Sequence, residues 1–204
     1  MVQKTTLLFI RHGQTAMNKR KRYCGHLDAV LNKTGRRQAG DLFKRLRAET
    51  IHKVYASDRK RAIETARIAL AGFPIEKDPG LKEINFGLFE GLSHGGILKR
   101  YPVVYRRWLK DPFKTKIPEG ESVRYFTRRI TQSIKRIVAV NRGMTIAVVT
   151  HGGVISMYLN SLSKTHKFWE TIPKSASISI VEYEKQSARV RVFNDTAHLD
   201  GKNG

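Results

Sequence analysis

Short apolar, β-branched runs at residues 5–10, 53–56 and 145–150 alternate with stretches whose apolar positions recur every three to four residues. A switch between period two and period 3.6 predicts strands separated by helices. Thr34 can cap a helix that carries Leu42, Phe43 and Leu46 on one face. Asp58 can open another that carries Ala62, Ile63, Ala66 and Ile68 until Gly72 stops it. Residues 121–140 place Val123, Phe126, Ile130, Ile134, Ile137 and Val138 on one stripe, predicting a long amphipathic helix that feeds the run after Gly143. A Gly152-Gly153 turn is expected after that run, and residues 175–182 and 189–193 alternate like a strand hairpin before a frayed tail. The pattern implies an α/β chain with three layers, α/β/α, around a mostly parallel central sheet. In such sheets ligands bind beyond the carboxyl ends of the strands. Residues 73–120 are richer in glycine, proline, aromatics and charge, and are expected to form an insertion or lid within one domain spanning 1–204.

The chain has 204 residues, 40% of them hydrophobic and 27% charged, which supplies one sizeable core and excludes wholesale disorder. A single cysteine, Cys24, excludes an intrachain disulfide and a thiolate metal cluster, and points to a reducing compartment. The apolar run at residues 7–10 is too short for a signal-peptide core, and no stretch of about eighteen apolar residues could span a bilayer. A cytoplasmic protein without a membrane partner is therefore expected. The net charge of +22 attracts phosphorylated metabolites, nucleic acid and anionic surfaces alike, so it sets the sign of the partner and not its identity.

Two of the strand-like runs lead into a histidine and glycine, as Arg11-His12-Gly13 and as Thr150-His151-Gly152-Gly153. A third junction, Ser57-Asp58-Arg59-Lys60-Arg61-Ala62, can aim backbone N–H groups and a guanidinium at an anion. Glu83 adds a carboxyl group in the irregular middle region. Each piece alone has an ordinary structural reading: a loop histidine, a solvated basic helix face, a surface glutamate. Together they suit a phosphoryl group, because cationic donors neutralise its oxygens, an imidazole attacks phosphorus and a carboxylic acid protonates the leaving oxygen. His26, His52, His94, His166 and His198 are not at metal-ligand spacing, so neither a metal nor a cofactor is expected.

Leu7-Leu8-Phe9-Ile10-Arg11-His12-Gly13-Gln14-Thr15, Asn18, Leu31-Asn32-Lys33-Thr34-Gly35 with Gln38-Ala39, the segment from Ser57 to Ala62 with Thr65-Ala66, the stretch 81–91, and 150–153 stand in an order and spacing that resembles the histidine phosphatase superfamily. The resemblance covers nearly the whole chain and implies a phosphoglycerate mutase-like fold. It casts His12 as the nucleophile that becomes phosphorylated and Glu83 as proton donor to the leaving alkoxide. Arg11, Arg61, Asn18 and a protonated His151 would hold the phosphoryl oxygens, with Gln14, Thr15 and Gly152 also lining the phosphate site. It implies a hydrolase, since Glu83 is followed by Ile84-Asn85-Phe86 where the mutases of the superfamily carry Arg-His-Tyr. Phosphoglycerate mutase activity is the alternative.

A narrower likeness, through Arg22-Tyr23-Cys24-Gly25-His26-Leu27-Asp28 and Asn194-Asp195-Thr196-Ala197-His198-Leu199, is to α-ribazole phosphatases, and names α-ribazole 5′-phosphate as one small phosphorylated substrate. The chain departs from the family pattern at Gln14, at Met17 and at Ser93-His94-Gly95-Gly96, the last bearing on the lid. Lys19-Arg20-Lys21-Arg22 either rims the pocket or is a solvated basic loop. A rival of another class is a basic nucleic-acid-binding protein, since Arg36-Arg37, Arg106-Arg107, Arg128-Arg129 and Lys135-Arg136 could grip a phosphate backbone. Those pairs are dispersed and lack interleaved aromatics, which fits non-specific polyanion adhesion better than specific recognition. The oligomeric state is left open.

Overall fold

The computed structural model describes residues 4–163, 171–185 and 187–199. Chain order is β1 (Thr5–Arg11), α1 (Ala16–Lys19), α2 (Lys33–Leu46), β2 (Lys53–Ala56), α3 (Lys60–Ala69), β3 (Ile75–Lys77), α4 (His94–Arg100), α5 (Pro102–Lys110), α6 (Val123–Val140), β4 (Thr145–Thr150), α7 (Gly152–Ser163), β5 (Ile178–Glu184) and β6 (Ser187–Asp195). Among the described residues the strands make one six-stranded sheet in the order β3-β2-β4-β1-β5-β6. β1, β4, β2 and β3 run parallel, while β5 and β6 add an antiparallel hairpin beside β1. The expected α/β architecture with a mostly parallel sheet is what forms.

Alternation along β1 and β4 sorts the side chains into two cores, as the pleat requires. Leu7, Phe9, Ile146 and Val148 face one side with Phe126, Ile130 and Ile134 of α6 and Val154 and Ile155 of α7. Leu8, Ile10, Ala147 and Val149 face the other with Leu42 and Leu46 of α2 and Ala62, Ile63 and Ala66 of α3. The central strands are apolar on both faces because helices cover both, which explains their continuous hydrophobic runs. The residues expected to form the lid hold β3, which pairs with β2, two 3-10 turns, α4 and α5. Phe89, Tyr105 and Trp108 of that stretch are buried in the same core as Phe9.

Several element ends differ from the sequence expectation. Helix α2 is capped by Asn32, whose side chain accepts from Gly35 N–H, so Thr34 lies inside the first turn. Asp58 does not cap α3, because its carboxylate is drawn to Arg59 and Lys82 at 3.2 and 3.1 Å. The Lys60 N–H is satisfied instead by Asp28, 2.8 Å away. Helix α3 stops at Ala69, and Gly72 sits just beyond it with φ +92°. Gly152 and Gly153 begin α7 and do not form a turn, since a carboxylate from elsewhere in the chain accepts the Gly153 N–H. Ser93 caps α4, so a helix starts at the segment that departs from the family pattern. The expected frayed tail falls largely on residues 200–204, and His166 also lies outside the described residues.

The loop after β1 lies directly on the start of α2. A Cβ on Gly35 would come within 2.1 Å of the Gln14 carbonyl oxygen, and one on Gly13 within 2.5 Å of the Gly35 carbonyl oxygen. Both contacts are backbone and cannot swing away. Gly35→Ala is expected to destabilise the fold by about 1–3 kcal/mol through overpacking. At this chain length that lowers the midpoint of thermal unfolding by about 2–4 °C per kcal/mol. An unchanged midpoint in calorimetry would contradict the tight approach.

Candidate active site

The ends of β1, β2 and β4 bring His12, Ser57 and His151 to one place, as the strand-end rule anticipates. His12 is 4% exposed, His151 0% and Arg61 1%. The imidazole Nδ1 of His12 donates to the Gly13 carbonyl at 2.7 Å, because a carbonyl oxygen only accepts. Its Nε2 therefore carries the lone pair and accepts from Arg61 Nε–H at 3.2 Å. The same Arg61 N–H is shared with His151 Nδ1 at 3.2 Å. His151 then bears its proton on Nε2 and donates to Ser57 Oγ at 2.8 Å. The two rings meet edge to face with centroids 5.2 Å apart.

Burial, followed by the charges of Arg61 and Arg11, holds the pKa of His12 well below the usual imidazole value. Burial, then Arg61, His12 and Arg11, does the same to His151. The expectation of a protonated His151 is thus not met by these surroundings: desolvation and neighbouring cations both favour the neutral ring.

Arg61 is held by more than the imidazoles. Its Nη2 donates to Gly25 O at 2.8 Å and Cys24 O at 3.2 Å, and Nη1 donates to Leu27 O at 2.9 Å. Most of its fork faces this loop. Arg11 stands differently, with Nη1 donating to Pro173 O while its buried Nε finds no partner. A buried unpartnered guanidinium N–H is an anion-binding group in search of an acceptor. Gly152 leaves room for it, since a Cβ there would approach Arg11 Nε to 3.1 Å.

Glu83 is 9% exposed, and its oxygens accept from Ile84 N–H at 3.0 Å and Gly153 N–H at 2.8 Å. Burial raises its pKa above the ordinary carboxyl value, and the two N–H groups and the nearby guanidiniums oppose this without cancelling it. A Cβ at Gly153 would fall 2.2 Å from Glu83 Oε1, so glycine there is a condition for this carboxyl to cap α7.

A cleft of about 210 Å³ is lined by Arg11, Asn18, Lys21, Arg22, Tyr23, Cys24, Glu83, Ile84, Phe86, Gly152, Gly153 and Ile172. His12, Arg61 and His151 are buried and adjoin this lining, His12 after Arg11, His151 before Gly152 and Arg61 through its bond to Cys24 O. Of the further sequence candidates, Asn18 and Gly152 reach the cleft. Thr15 does not: its hydroxyl is spent in a capping box with Asn18 at the start of α1. Gln14 does not either, since its side chain accepts from Asn32 Nδ2 at 2.9 Å. Lys21 and Arg22 line the cleft, whereas Lys19 and Arg20 are exposed outside it.

Several residues that build this centre carry side-chain roles that the sequence pattern, although it includes Ser57 and Thr65, does not assign. Ser57 is the acceptor that fixes His151. Thr65, one turn beyond Arg61 on α3, accepts from Gly13 N–H at 3.0 Å and ties the His12 loop to that helix. Arg129 donates to the carbonyls of Gly80, Lys82 and Glu83 at 2.7–2.9 Å while paired with Glu121 at 2.6 Å. Helical spacing could have found Thr65; the reach of Arg129 to a distant loop had no local signal. Among the described residues no group of three or more His, Cys, Asp or Glu side chains could hold a metal ion. No described helix is long and apolar enough to cross a membrane.

Residues 7–196 match the model of the histidine phosphatase superfamily, branch 1. The chain is 33% identical over 205 residues to phosphoglycerate mutase-like protein 4 of Arabidopsis thaliana, covering 98% of this chain and 89% of that one. It is 30% identical over 196 residues to adenosylcobalamin/alpha-ribazole phosphatase of Escherichia coli, covering 94% and 96%. A bifunctional protein of Mycobacterium tuberculosis is 35% identical over 96% of this chain, which spans 55% of that longer protein. Among solved structures, YhfR of Bacillus stearothermophilus superposes with a TM-score of 0.91 at 31% identity, covering 96% of this chain and 100% of that one. Phosphoglycerate mutase of Bacillus anthracis superposes with a TM-score of 0.84 at 25% identity, covering 97% and 96%.

The raised pKa of Glu83 carries a stability consequence. A carboxyl whose folded pKa lies above its unfolded value favours folding below the unfolded pKa, and that contribution is lost as pH rises through the folded pKa. Glu83→Gln removes the ionisation, but its amide nitrogen cannot accept one of the two backbone N–H bonds that the carboxyl receives. The difference in melting temperature between parent and variant is therefore expected to shift in the parent's favour as pH falls from 8 towards 4. A gap independent of pH in thermal unfolding would show that Glu83 is not held against its charge.

Proposed function

This chain belongs to the histidine phosphatase superfamily, and on that footing we propose that it is a phosphatase that hydrolyses small phosphomonoesters without a metal, through a phosphohistidine formed at His12. The observation that carries the reading is the tautomer of His12. With Nδ1–H committed to the Gly13 carbonyl, the Nε2 lone pair is free of a proton, and the lowered pKa keeps it so at neutral pH.

In the first step Nε2 attacks phosphorus as the P–O ester bond breaks, and the Glu83 carboxylic proton passes to the leaving oxygen. The Arg61 N–H must release the lone pair at that moment, and His151 Nδ1, its second acceptor, keeps it satisfied. In the second step water attacks phosphorus, Glu83 takes the water proton, the N–P bond breaks and inorganic phosphate leaves. One residue thus acts as acid and then as base, a task for which a pKa raised by burial suits it. The orphaned Arg11 Nε–H and Asn18, both at the cleft, supply the oxyanion donors, and His151 stays neutral as the second acceptor of the Arg61 N–H.

Relatives act on different phosphoesters, as their names state, and α-ribazole 5′-phosphate is the substrate we put first. Mutase chemistry has less support. Where mutases carry Arg-His-Tyr, Ile84 and Phe86 form an apolar wall of the cleft, and Asn85 is turned into loop contacts with Glu121 and Gly87. The nucleic-acid reading also loses ground, because Arg36, Arg129 and Arg136 are paired with Glu64, Glu121 and Asp78.

Phosphate release is tested on a panel containing α-ribazole 5′-phosphate, sugar phosphates and 3-phosphoglycerate, with chelator present. His12→Ala is expected to abolish turnover, and loss of one phosphate donor, as in Arg11→Ala, to lower kcat by about 10²–10³. Faster conversion of 3-phosphoglycerate to its 2-isomer than to phosphate would establish the mutase instead. Salt-sensitive duplex binding unaffected by His12→Ala, without hydrolysis, would establish the nucleic-acid reading.

Glu83→Gln is expected to slow substrates with poor leaving groups far more than p-nitrophenyl phosphate. Equal losses would remove the acid role from Glu83.

A further inference from the structure

Glu90, just after the 3-10 turn Gly87–Phe89, lies outside the cleft lining yet gathers an unusual set of partners. Its Oε1 accepts from the N–H groups of His26, Gly25 and Phe86 at 2.7, 3.1 and 3.1 Å. Its Oε2 accepts from Leu27 at 2.9 Å and Gly25 at 3.2 Å. The same stretch of chain turns its carbonyls the other way. Cys24 O and Gly25 O receive Arg61 Nη2–H, and Leu27 O receives Nη1–H. A short run of peptide groups is therefore clamped between a carboxylate on its N–H side and a guanidinium on its C=O side.

Each peptide unit has a dipole of about 3.5 D, and these are aligned with the field between the two charges, so each end strengthens the other. Gly25 permits the approach, because a Cβ there would lie 2.6 Å from Glu90 Oε1 and 1.9 Å from Ile84 O.

We propose that Glu90 is a positioning residue for the reaction centre: acting through residues 24–27, it fixes the Arg61 fork so that the single Nε–H stays between His12 Nε2 and His151 Nδ1. The inference rests on the proposed role of His12. Glu90 touches neither imidazole and reaches His12 through Arg61, while Arg59 Nη1 holds His26 O in the same run and Phe86 N–H is a further contact of the carboxylate. His12 is faced by Arg61, Arg11, the His151 ring and the Gly13 carbonyl. Losing Glu90 disturbs the first of these and leaves the other three in place. With Arg61 displaced, His12 loses both an N–H donor and a nearby positive charge that opposes its protonation.

The test uses the full chain with p-nitrophenyl phosphate as probe, comparing the parent, Glu90→Gln, Glu90→Leu, Arg61→Lys and the double variant Glu90→Leu/Arg61→Lys. Glu90→Leu is expected to lower kcat by about 10- to 100-fold, with Glu90→Gln between it and the parent. The acid limb of kcat/KM, which reports protonation in the free enzyme, is expected to move up by about half a pH unit or more. The double variant should lose no more than about threefold beyond Arg61→Lys alone, because both changes cut one chain of contacts. Losses that multiply overturn the proposal. So does an unmoved acid limb with activity falling only in proportion to the unfolded fraction seen by circular dichroism.

The His12 titration is followed in parallel by 15N NMR, which needs no turnover. A parent without hydrolysis, in which Glu90→Gln still shifts that titration, would refute the phosphatase reading and uphold the clamp. No shift in an active parent would do the reverse.

Discussion

A single buried N–H, the Nε–H of Arg61, stands between two imidazoles and sets the state of both. By donating to His12 Nε2 and His151 Nδ1 at once, it requires that neither atom carry a proton. The other ring nitrogen of each histidine is then fixed as a donor, to Gly13 O in one case and Ser57 Oγ in the other. The β1–α1 loop, the end of β2 and the start of α7 are thus tied to one side chain of α3. This explains why α3 packs where it does: its apolar face lies on the sheet while Arg61 and Thr65 turn towards the strand ends.

Burying two guanidiniums costs several kcal/mol each in desolvation, and the carboxylates near them offset only part of it. Arg61 recovers hydrogen bonds from the 24–27 loop. Arg11 does so incompletely, and its buried Nε–H is left without an acceptor. The outcome is a buried positive hollow whose cations lose hydration when the chain folds. On the proposed function, an arriving phosphoryl group would meet donors that lost their hydration on folding and are already oriented, so little reorganisation would be left for the reaction itself. The same hollow explains the opposite behaviour of the bases and the acid around it: burial and cations both push the imidazoles down, whereas for Glu83 burial outweighs the cations and pushes it up.

The sheet was legible because its strands are short apolar runs buried on both faces, and the two histidines were legible because each follows such a run. Legibility failed where a group is satisfied from far away in sequence. Asp58 looks like the cap of α3, but Lys82 draws it off and Asp28 takes the Lys60 N–H. Gly152-Gly153 looks like a turn, but the carboxyl of Glu83 turns it into a helix start. Gln14 and Thr15 neighbour the nucleophile candidate and nevertheless face inward, because Asn32 and Asn18 compete for their polar atoms more closely than the cleft does. For Asp58, Gly153 and Gln14 a contact distant in sequence decides, whereas Thr15 is taken by Asn18 one turn away, a local partner that outcompetes the cleft.

Two loops flank the cleft, and each is held by a charge of opposite sign set behind it. Arg129 grips the carbonyls of Gly80, Lys82 and Glu83, and Glu90 grips the N–H groups of residues 25–27 and Phe86. A loop cannot bring a rigid hydrogen-bond ladder to a site as a strand can, so its backbone groups need partners of another kind. A charged side chain that accepts or donates several bonds at once fixes consecutive peptide groups with one residue, and each such bond is about twice as strong as a neutral one. The irregular segments at this cleft are in this way anchored by ion–backbone contacts in place of secondary structure. The shape of the cleft therefore depends on charges that lie behind its lining.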